Sequence, residues 1–317
     1  MPSAAESLIL LYVLGIVFAS LPVAMLLRGR RVPALPASMP PLPAMTSLLP
    51  PGAPPLPVDY YAPPHGELFL PPAPDSRSWS RQDAWFAFVL AVVVAVLMGP
   101  VSAYLVAKAG FGEDTKISFT AGLFITQIVF QAGVIGLVLA WLVAYRKFNL
   151  VQRFGLRARG FWMTTGLTLL CLVLAYIGVI LVSLVSQSLM ENLTGLDLKQ
   201  QGLVESAPEI TDNTTRVLML ITLCLGAPLM EELIFRGVLY SVMARYLNPW
   251  YACVASSLFF GLIHGNLLSL IPLTVLGMFL AEAYRRTGTL AVPVLMHAIF
   301  NLISYLAIFY GPPELRQ

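Results

Sequence analysis

The chain contains several apolar runs of about 20 residues, the length that an α-helix needs to cross the hydrocarbon core of a bilayer. Hydrophobic residues make up 58% of the 317 residues and charged residues only 11%, whereas a soluble domain averages about 25% charged residues. So few charges cannot cover a water-exposed surface, and so much apolar sequence excludes a disordered chain. The sequence therefore predicts an all-α, polytopic membrane protein.

Eight segments are expected to span the membrane, the seventh of them short and nearly continuous with the sixth: Leu8–Leu27, Ala84–Ala107, Ser118–Tyr145, Phe161–Leu189, Val217–Leu239, Trp250–Leu270, Ile271–Tyr284 and Ala291–Tyr310. We expect four regions, which are an N-terminal helix with its basic flank, a proline-rich cytoplasmic linker, helices two to four, and an outer loop followed by four C-terminal helices: residues 1–32, 33–83, 84–190 and 191–317.

Orientation follows from the basic residues, because cytoplasmic loops carry an excess of Lys and Arg. Of the residues that flank the predicted spans, thirteen lie on one side and five on the other. Both termini are therefore expected outside, with the cell membrane as the expected location. Leu8–Leu27 is preceded by Glu6 and by no basic residue, whereas a signal peptide begins with a basic stretch, so we expect this helix to stay uncleaved.

The segment Pro33–Pro74 holds 15 of the 25 prolines in the chain. Proline fixes the backbone and removes a hydrogen-bond donor, so we expect an extended tether without a packed core. A docking site for a proline-recognising partner is the alternative to a simple spacer.

Polar side chains are rare inside the predicted spans and are concentrated near the C-terminus. Ionisable residues in a membrane span indicate function by default. The polar residues in question are Glu231, Glu232, Arg236, His264, His297 and Asn301.

Helical geometry separates the roles of these side chains, because residues four apart share a face and adjacent residues point about 100° apart. Glu232 and Arg236 are expected to form a neutralising pair, whereas Glu231 is turned away from that arginine. A buried carboxylate without a partner has a raised pKa and can act as a base near neutral pH. His297 and Asn301 share one face and present two neighbouring hydrogen-bond donors.

Two further contacts are expected near these groups. Phe260 lies one turn before His264 and is placed to fix its imidazole. Glu282 lies one turn before Arg285 and Arg286, which predicts an ion pair at the membrane edge. The alternative for the whole polar cluster is a non-enzymatic membrane transporter or scaffold, since polar side chains also join membrane helices by hydrogen bonds.

The motifs EExxxR (Glu231–Arg236), FxxxH (Phe260–His264) and HxxxN (His297–Asn301) resemble those of the CPBP family, the CAAX protease and bacteriocin-processing enzymes, which include the type II CAAX prenyl endopeptidases. The resemblance covers roughly the last 150 residues and implies an intramembrane endopeptidase. It also implies that Glu231 and His264 activate a water molecule and that His297 and Asn301 stabilise the oxyanion. Glu232, Arg236 and Phe260 are then supporting residues.

No cofactor is expected, with zinc as the alternative. Two histidines and a glutamate form a common catalytic zinc set, and here the set would be His264, His297 and Glu231. The chain has no HExxH helix, and its two intramembrane histidines lie on separate helices, so we favour glutamate chemistry. The expected partners are the lipid bilayer and a membrane-associated or lipidated peptide or protein substrate. A net charge of +3 argues against nucleic acid.

The predicted topology can be measured with reporter fusions at Pro50, in the proline tract, and at Gly202, in the acidic loop. We expect Pro50 to report the cytoplasm and Gly202 the outside, because the basic residues are so unequally distributed. Reporters that indicate the same compartment would show that the number of spans between them is wrong.

Overall fold

A computed structural model of the protein describes residues 79–108, 118–156, 160–194 and 207–311. The first predicted span, Leu8–Leu27, and the proline tract, Pro33–Pro74, lie outside the described residues. All regular secondary structure in the described ranges is helical, which confirms the predicted fold class for that part of the chain.

The described residues form seven helices of 15 residues or more and one short turn of helix. Their bounds are α1 Arg81–Lys108, α2 Phe119–Tyr145, α3 Leu150–Arg153, α4 Phe161–Thr194, α5 Asn213–Tyr246, α6 Pro249–Ile263, α7 Leu267–Thr287 and α8 Ala291–Tyr310. A 3₁₀ turn, Ala207–Glu209, precedes α5.

Five of these helices, α2, α4, α5, α7 and α8, are long and apolar enough to cross a membrane. The second predicted span lies within α1, whose segment Gln82–Val94 is apolar but shorter. Apolar side chains on α4 are widely exposed, for example Trp162 at 83% and Leu184 at 74%. This pattern suits a helix that faces lipid rather than water.

The predicted boundaries of the sixth and seventh spans, Trp250–Leu270 and Ile271–Tyr284, were wrong. Helix α6 has only 15 residues, or roughly 22 Å at about 1.5 Å per residue, which is shorter than a hydrocarbon core of about 30 Å. The chain turns at Gly265, whose φ is 64°, and Asn266 then caps α7 by accepting from the Ser269 N–H at 2.9 Å. Hydropathy does not register this turn, because its flanks are apolar.

Helix α5 lies at the centre of the fold and contacts α1, α2, α6, α7 and α8. Half of its most apolar stretch is buried, against 17% for α2 and α4. Asp212 caps its start, accepting from the Thr215 N–H at 2.7 Å. Hydrogen bonds from the Thr215 hydroxyl and backbone hold the pKa of the exposed Asp212 carboxyl below its usual value.

Two segments of α5 have π-helical winding, Thr222–Gly226 and Leu233–Tyr240. They flank the α-helical segment Ala227–Glu232, which carries both glutamates. Such segments shift the backbone hydrogen bonds by one residue and occur frequently at functional sites. In the second segment the Ser241 hydroxyl donates to the Arg236 carbonyl at 2.9 Å.

Small residues bring α6 and α7 close together, as is common where membrane helices pack. A Cβ atom added to Gly277 would lie 2.9 Å from the Cβ of Ser257. The Gly277 carbonyl also accepts from Arg236 Nη2 at 3.0 Å, so its position matters for the centre of the fold. At the end of α7, Glu282 pairs with Arg285 at 2.6 Å, as the sequence predicts.

Replacing Gly277 with alanine should destabilise the protein, because the new methyl group would push α7 away from α6. Overpacking of this kind typically costs about 1–3 kcal/mol. The matched control is Gly133→Ala on α2, where nothing lies within 4 Å of the added atom. Thermal unfolding in detergent should give a lower Tm for Gly277→Ala alone, and adding Ser257→Gly should recover part of the loss. Equal Tm values for the Gly277 and Gly133 variants would contradict close packing here.

Candidate active site

One cavity of about 370 Å³ lies between α2, α5, α7 and α8 and is lined by all four predicted catalytic residues, Glu231, His264, His297 and Asn301. Three segments that lie 33 positions apart in sequence meet here, because α5 carries the glutamates, the α6–α7 turn carries His264, and α8 carries the other two. The predicted supporting residues, Glu232, Arg236 and Phe260, do not line the cavity and are 0–1% exposed.

The two adjacent glutamates have different surroundings. Glu231 is 8% exposed and its Oε2 makes no hydrogen bond within the described residues. His297 Nε2 lies 3.9 Å from that oxygen. Glu231 therefore presents a carboxylate to the cavity without a neutralising arginine.

Glu232 is the centre of a buried network. Its Oε1 accepts from Arg236 Nη1 at 2.7 Å, which is the pair predicted from the helical spacing. The same oxygen contacts His297 Nδ1 at 2.9 Å. A carboxylate can only accept, so Nδ1 carries the proton in this bond, and Nε2 is the nitrogen directed toward Glu231. The bond to His297 was not predicted, since its two residues lie 65 positions apart.

Phe260 contacts three members of the cluster. Its ring meets that of His264 edge-on with centroids 4.9 Å apart, as predicted, and that of His297 at 5.7 Å. The Arg236 guanidinium lies 4.7 Å from the same ring, within reach of a cation–π interaction. The His264 imidazole is also held by its Nδ1, which lies 2.8 Å from the Phe260 carbonyl. A carbonyl only accepts, so Nδ1 donates and Nε2 is free to accept.

Asn301 connects α8 to the first π-helical segment of α5. Its Nδ2 donates to the Leu223 carbonyl at 2.7 Å. An asparagine amide has two N–H groups, so this bond uses one of them and orients the other. The sequence did not predict the contact with Leu223.

Two glutamines on α2, Gln127 and Gln131, also line the cavity and were missed by the sequence analysis. Gln131 is 3% exposed and its Oε1 is buried without a hydrogen-bond partner. Both residues lie in an apolar span, four positions apart, and that pattern of polar residues was the signal that could have identified them.

The alternative zinc set, His264, His297 and Glu231, lies along the same cavity. Among the described residues, no group of three or more His, Cys, Asp or Glu side chains is placed to hold a metal ion. His264 and His297 each direct Nδ1 to a protein acceptor, the Phe260 carbonyl and the Glu232 carboxylate, which leaves Nε2 of both rings for other contacts.

The family model described as "Type II CAAX prenyl endopeptidase Rce1-like" matches residues 213–303. This match confirms the predicted resemblance, and all three motifs fall inside the matched segment. Together with the five long apolar helices, it indicates a multi-pass integral membrane protein.

Two relatives match a similar length of the chain. One is the Bacillus subtilis protein named "Putative membrane peptidase YdiL", 33% identical over 84 residues, which are 26% of this chain and 34% of that protein. The other is an Escherichia coli protein named "Uncharacterized 24.3 kDa protein", 38% identical over 86 residues, 26% of this chain and 40% of that protein. The chain thus spans a third to two fifths of these relatives, and no solved structure matches it significantly.

The two glutamates should differ in their effect on stability. Glu232→Gln leaves the fully buried Arg236 without its counter-charge, and breaking a buried pair in this way typically costs about 3–5 kcal/mol. Glu231→Gln is the matched control, because it makes the same chemical change one residue away. We expect a much lower Tm in detergent for Glu232→Gln, while Glu231→Gln should stay close to the wild type. The reverse order would reassign the two carboxylates.

Proposed function

We propose that the protein is a membrane endopeptidase that hydrolyses a peptide bond in the cavity between α2, α5, α7 and α8. The observation that carries this proposal is the meeting of Glu231, His264, His297 and Asn301 in one cavity, with a separate buried network behind them. The family match supports the same class of reaction, since its description names endopeptidases.

The attacking water would lie between Glu231 and His264. The Glu231 carboxylate has a buried oxygen without a hydrogen bond, which suits a general base. His264 donates through Nδ1 to the Phe260 carbonyl, so its Nε2 can accept a hydrogen bond from the same water and orient it. The bulk of Phe260 keeps the imidazole in place.

His297 would act as an electrostatic stabiliser. In order to donate to an oxyanion through Nε2 it must be protonated, since its Nδ1 proton is held by Glu232. The charges allow this, because Glu232 and Arg236 neutralise each other, and an ionised Glu231 then neutralises the imidazolium 3.9 Å away. A buried cluster with zero net charge avoids the large cost of an unpaired charge.

The reaction can be written with its atoms balanced. Water forms a C–O bond with the scissile carbonyl carbon and transfers one proton to Glu231, while the carbonyl π electrons move to the oxygen. His297 Nε2–H and the second N–H of Asn301 stabilise that oxyanion. When the oxyanion collapses, the C–N bond breaks and Glu231 returns its proton to the leaving nitrogen. The products are a new carboxyl group and a free amine.

The substrate would be a membrane-associated or lipidated peptide or protein. The cavity lies between helices that are long and apolar enough to cross a membrane, so a peptide bond near the bilayer would reach it more readily than one in solution.

Glu231→Gln should abolish turnover, because the amide cannot take a proton from water. The measurement is the cleavage of a library of short peptides, with and without a lipid chain, by the purified full chain in lipid vesicles. Tm is recorded for the same preparations. A variant that keeps both its fold and its turnover would contradict the role of Glu231. A variant that loses its fold together with its activity would favour a scaffold.

Asn301→Ala should lower kcat by about 10²–10³-fold with KM little changed, as the loss of an oxyanion donor does. The matched control is Ser304→Ala on the same helix. Its hydroxyl donates to the Phe300 carbonyl at 3.0 Å. Equal kcat values for the two variants would remove Asn301 from the mechanism.

The choice between glutamate and zinc chemistry is made by elemental analysis of the active protein. We expect no stoichiometric zinc and full activity after prolonged treatment with a strong chelator. One zinc per chain, with activity lost on stripping and restored on re-addition, would overturn the metal-free mechanism and leave the peptidase proposal intact.

A further inference from the structure

Gln127 and Gln131 form one wall of the candidate active site and have no part in the mechanism above. We propose that these two side-chain amides bind the main chain of an extended substrate segment and position its scissile bond beside Glu231. Both lie on α2, outside the segment 213–303 that matches the family. This inference rests on the proposed endopeptidase function and adds the form in which the substrate is bound.

Gln131 has a buried side-chain amide whose oxygen lacks a hydrogen-bond partner within the described residues. The residue is 3% exposed, lines the cavity, and has an amide oxygen that is buried without a hydrogen bond. Buried polar groups are nearly always paired, because leaving one unpaired is costly. A substrate amide in the cavity would supply the missing partner, since the terminal torsion of glutamine is broad and lets the amide turn.

Gly226 of α5 makes room for this amide. A Cβ atom added at Gly226 would lie 2.0 Å from Gln131 Oε1, so no other residue fits here without displacing the amide. Gly226 ends the first π-helical segment, directly before the segment that carries Glu231. The amide of Gln131 is therefore held against the helix that carries the proposed base.

The spacing of the two glutamines suits an extended peptide. Residues four apart on an α-helix are separated by about 6 Å along its axis. Peptide groups that face the same side of an extended chain repeat every two residues, or about 6.6–6.8 Å. A glutamine amide has N–H donors and a carbonyl acceptor, so it can pair with both the C=O and the N–H of a peptide group. Two successive, same-facing peptide groups can thus pair with Gln127 and Gln131.

Such pairing would supply hydrogen bonds that the backbone of a substrate needs when it is cleaved inside a membrane. A peptide that leaves its helical form in a site without bulk water loses its internal hydrogen bonds, and each lost bond must be replaced. The glutamines replace two of them on the α2 side. Recognition would then depend on the main chain and tolerate many side chains, as it does when a strand is added to a sheet edge.

The test combines variants of the enzyme with variants of the substrate backbone. Gln127→Leu and Gln131→Leu are compared with the control Thr126→Val. The Thr126 hydroxyl donates to carbonyls of its own helix, those of Gly122 and Leu123. Each enzyme is assayed on a peptide that the wild type cleaves and on versions in which one amide is replaced by an ester. An ester lacks the N–H group and has a weaker carbonyl acceptor.

We expect KM to rise roughly 3- to 10-fold for each glutamine variant, the range for one lost hydrogen bond, with a smaller change in kcat. One ester position should raise KM for the wild type and not raise it further for Gln131→Leu, and a position two residues away should behave likewise with Gln127→Leu. Thr126→Val should match the wild type throughout. This non-additivity would not arise if the glutamines only shaped the cavity.

Three results would overturn the inference. The first is that both glutamine variants have the same KM as Thr126→Val. The second is that their KM increases are the same on every ester and amide substrate. If Gln131→Leu lowers the Tm, KM is measured for Gly226→Ala instead, because this variant displaces the amide without removing it. An unchanged KM for Gly226→Ala would be the third such result. A wild type that cleaves no peptide would instead overturn the peptidase proposal itself.

Discussion

The buried carboxylate of Glu232 is the group on which the rest of the site depends. One of its oxygens accepts from Arg236 and contacts His297 Nδ1, so it joins α5 to α8 at the centre of the fold. Arg236 extends the network to α7 through the Gly277 carbonyl. A charged group inside a membrane protein is tolerated only when it is paired and bonded in this way. Glu232 and Arg236 neutralise each other, so Arg236 is not the partner of the neighbouring Glu231.

The irregular winding of α5 places the two adjacent glutamates between two segments that contact other helices. The glutamates lie in a short α-helical segment between two π-helical ones. The first π-helical segment directs the Leu223 carbonyl to Asn301 and brings Gly226 against Gln131. The second contains Arg236, whose carbonyl is bonded by Ser241. Each irregular stretch thus has side-chain partners that fix it.

Local geometry on a single helix was predictable from the sequence. The pairing of Glu232 with Arg236, the separation of Glu231 from that arginine, and the contact of Phe260 with His264 all follow from helical spacing, and the structure has all three. Contacts between helices were not predictable in this way. The bonds from His297 to Glu232 and from Asn301 to Leu223 join residues 65 and 78 positions apart. The turn at Gly265 was also missed, because it interrupts an apolar run without changing its hydropathy.

The most direct test of the account follows the oxygen of the attacking water. The purified full chain, in lipid vesicles made in ¹⁸O-labelled water, is given the peptide library, and the products are weighed by mass spectrometry. The account predicts two fragments whose masses sum to the substrate plus one water, with one ¹⁸O atom in the new carboxyl group and none in the amine fragment. Recovery of every peptide intact from a folded preparation would contradict hydrolysis at this site. Fragments without the label would contradict it as well.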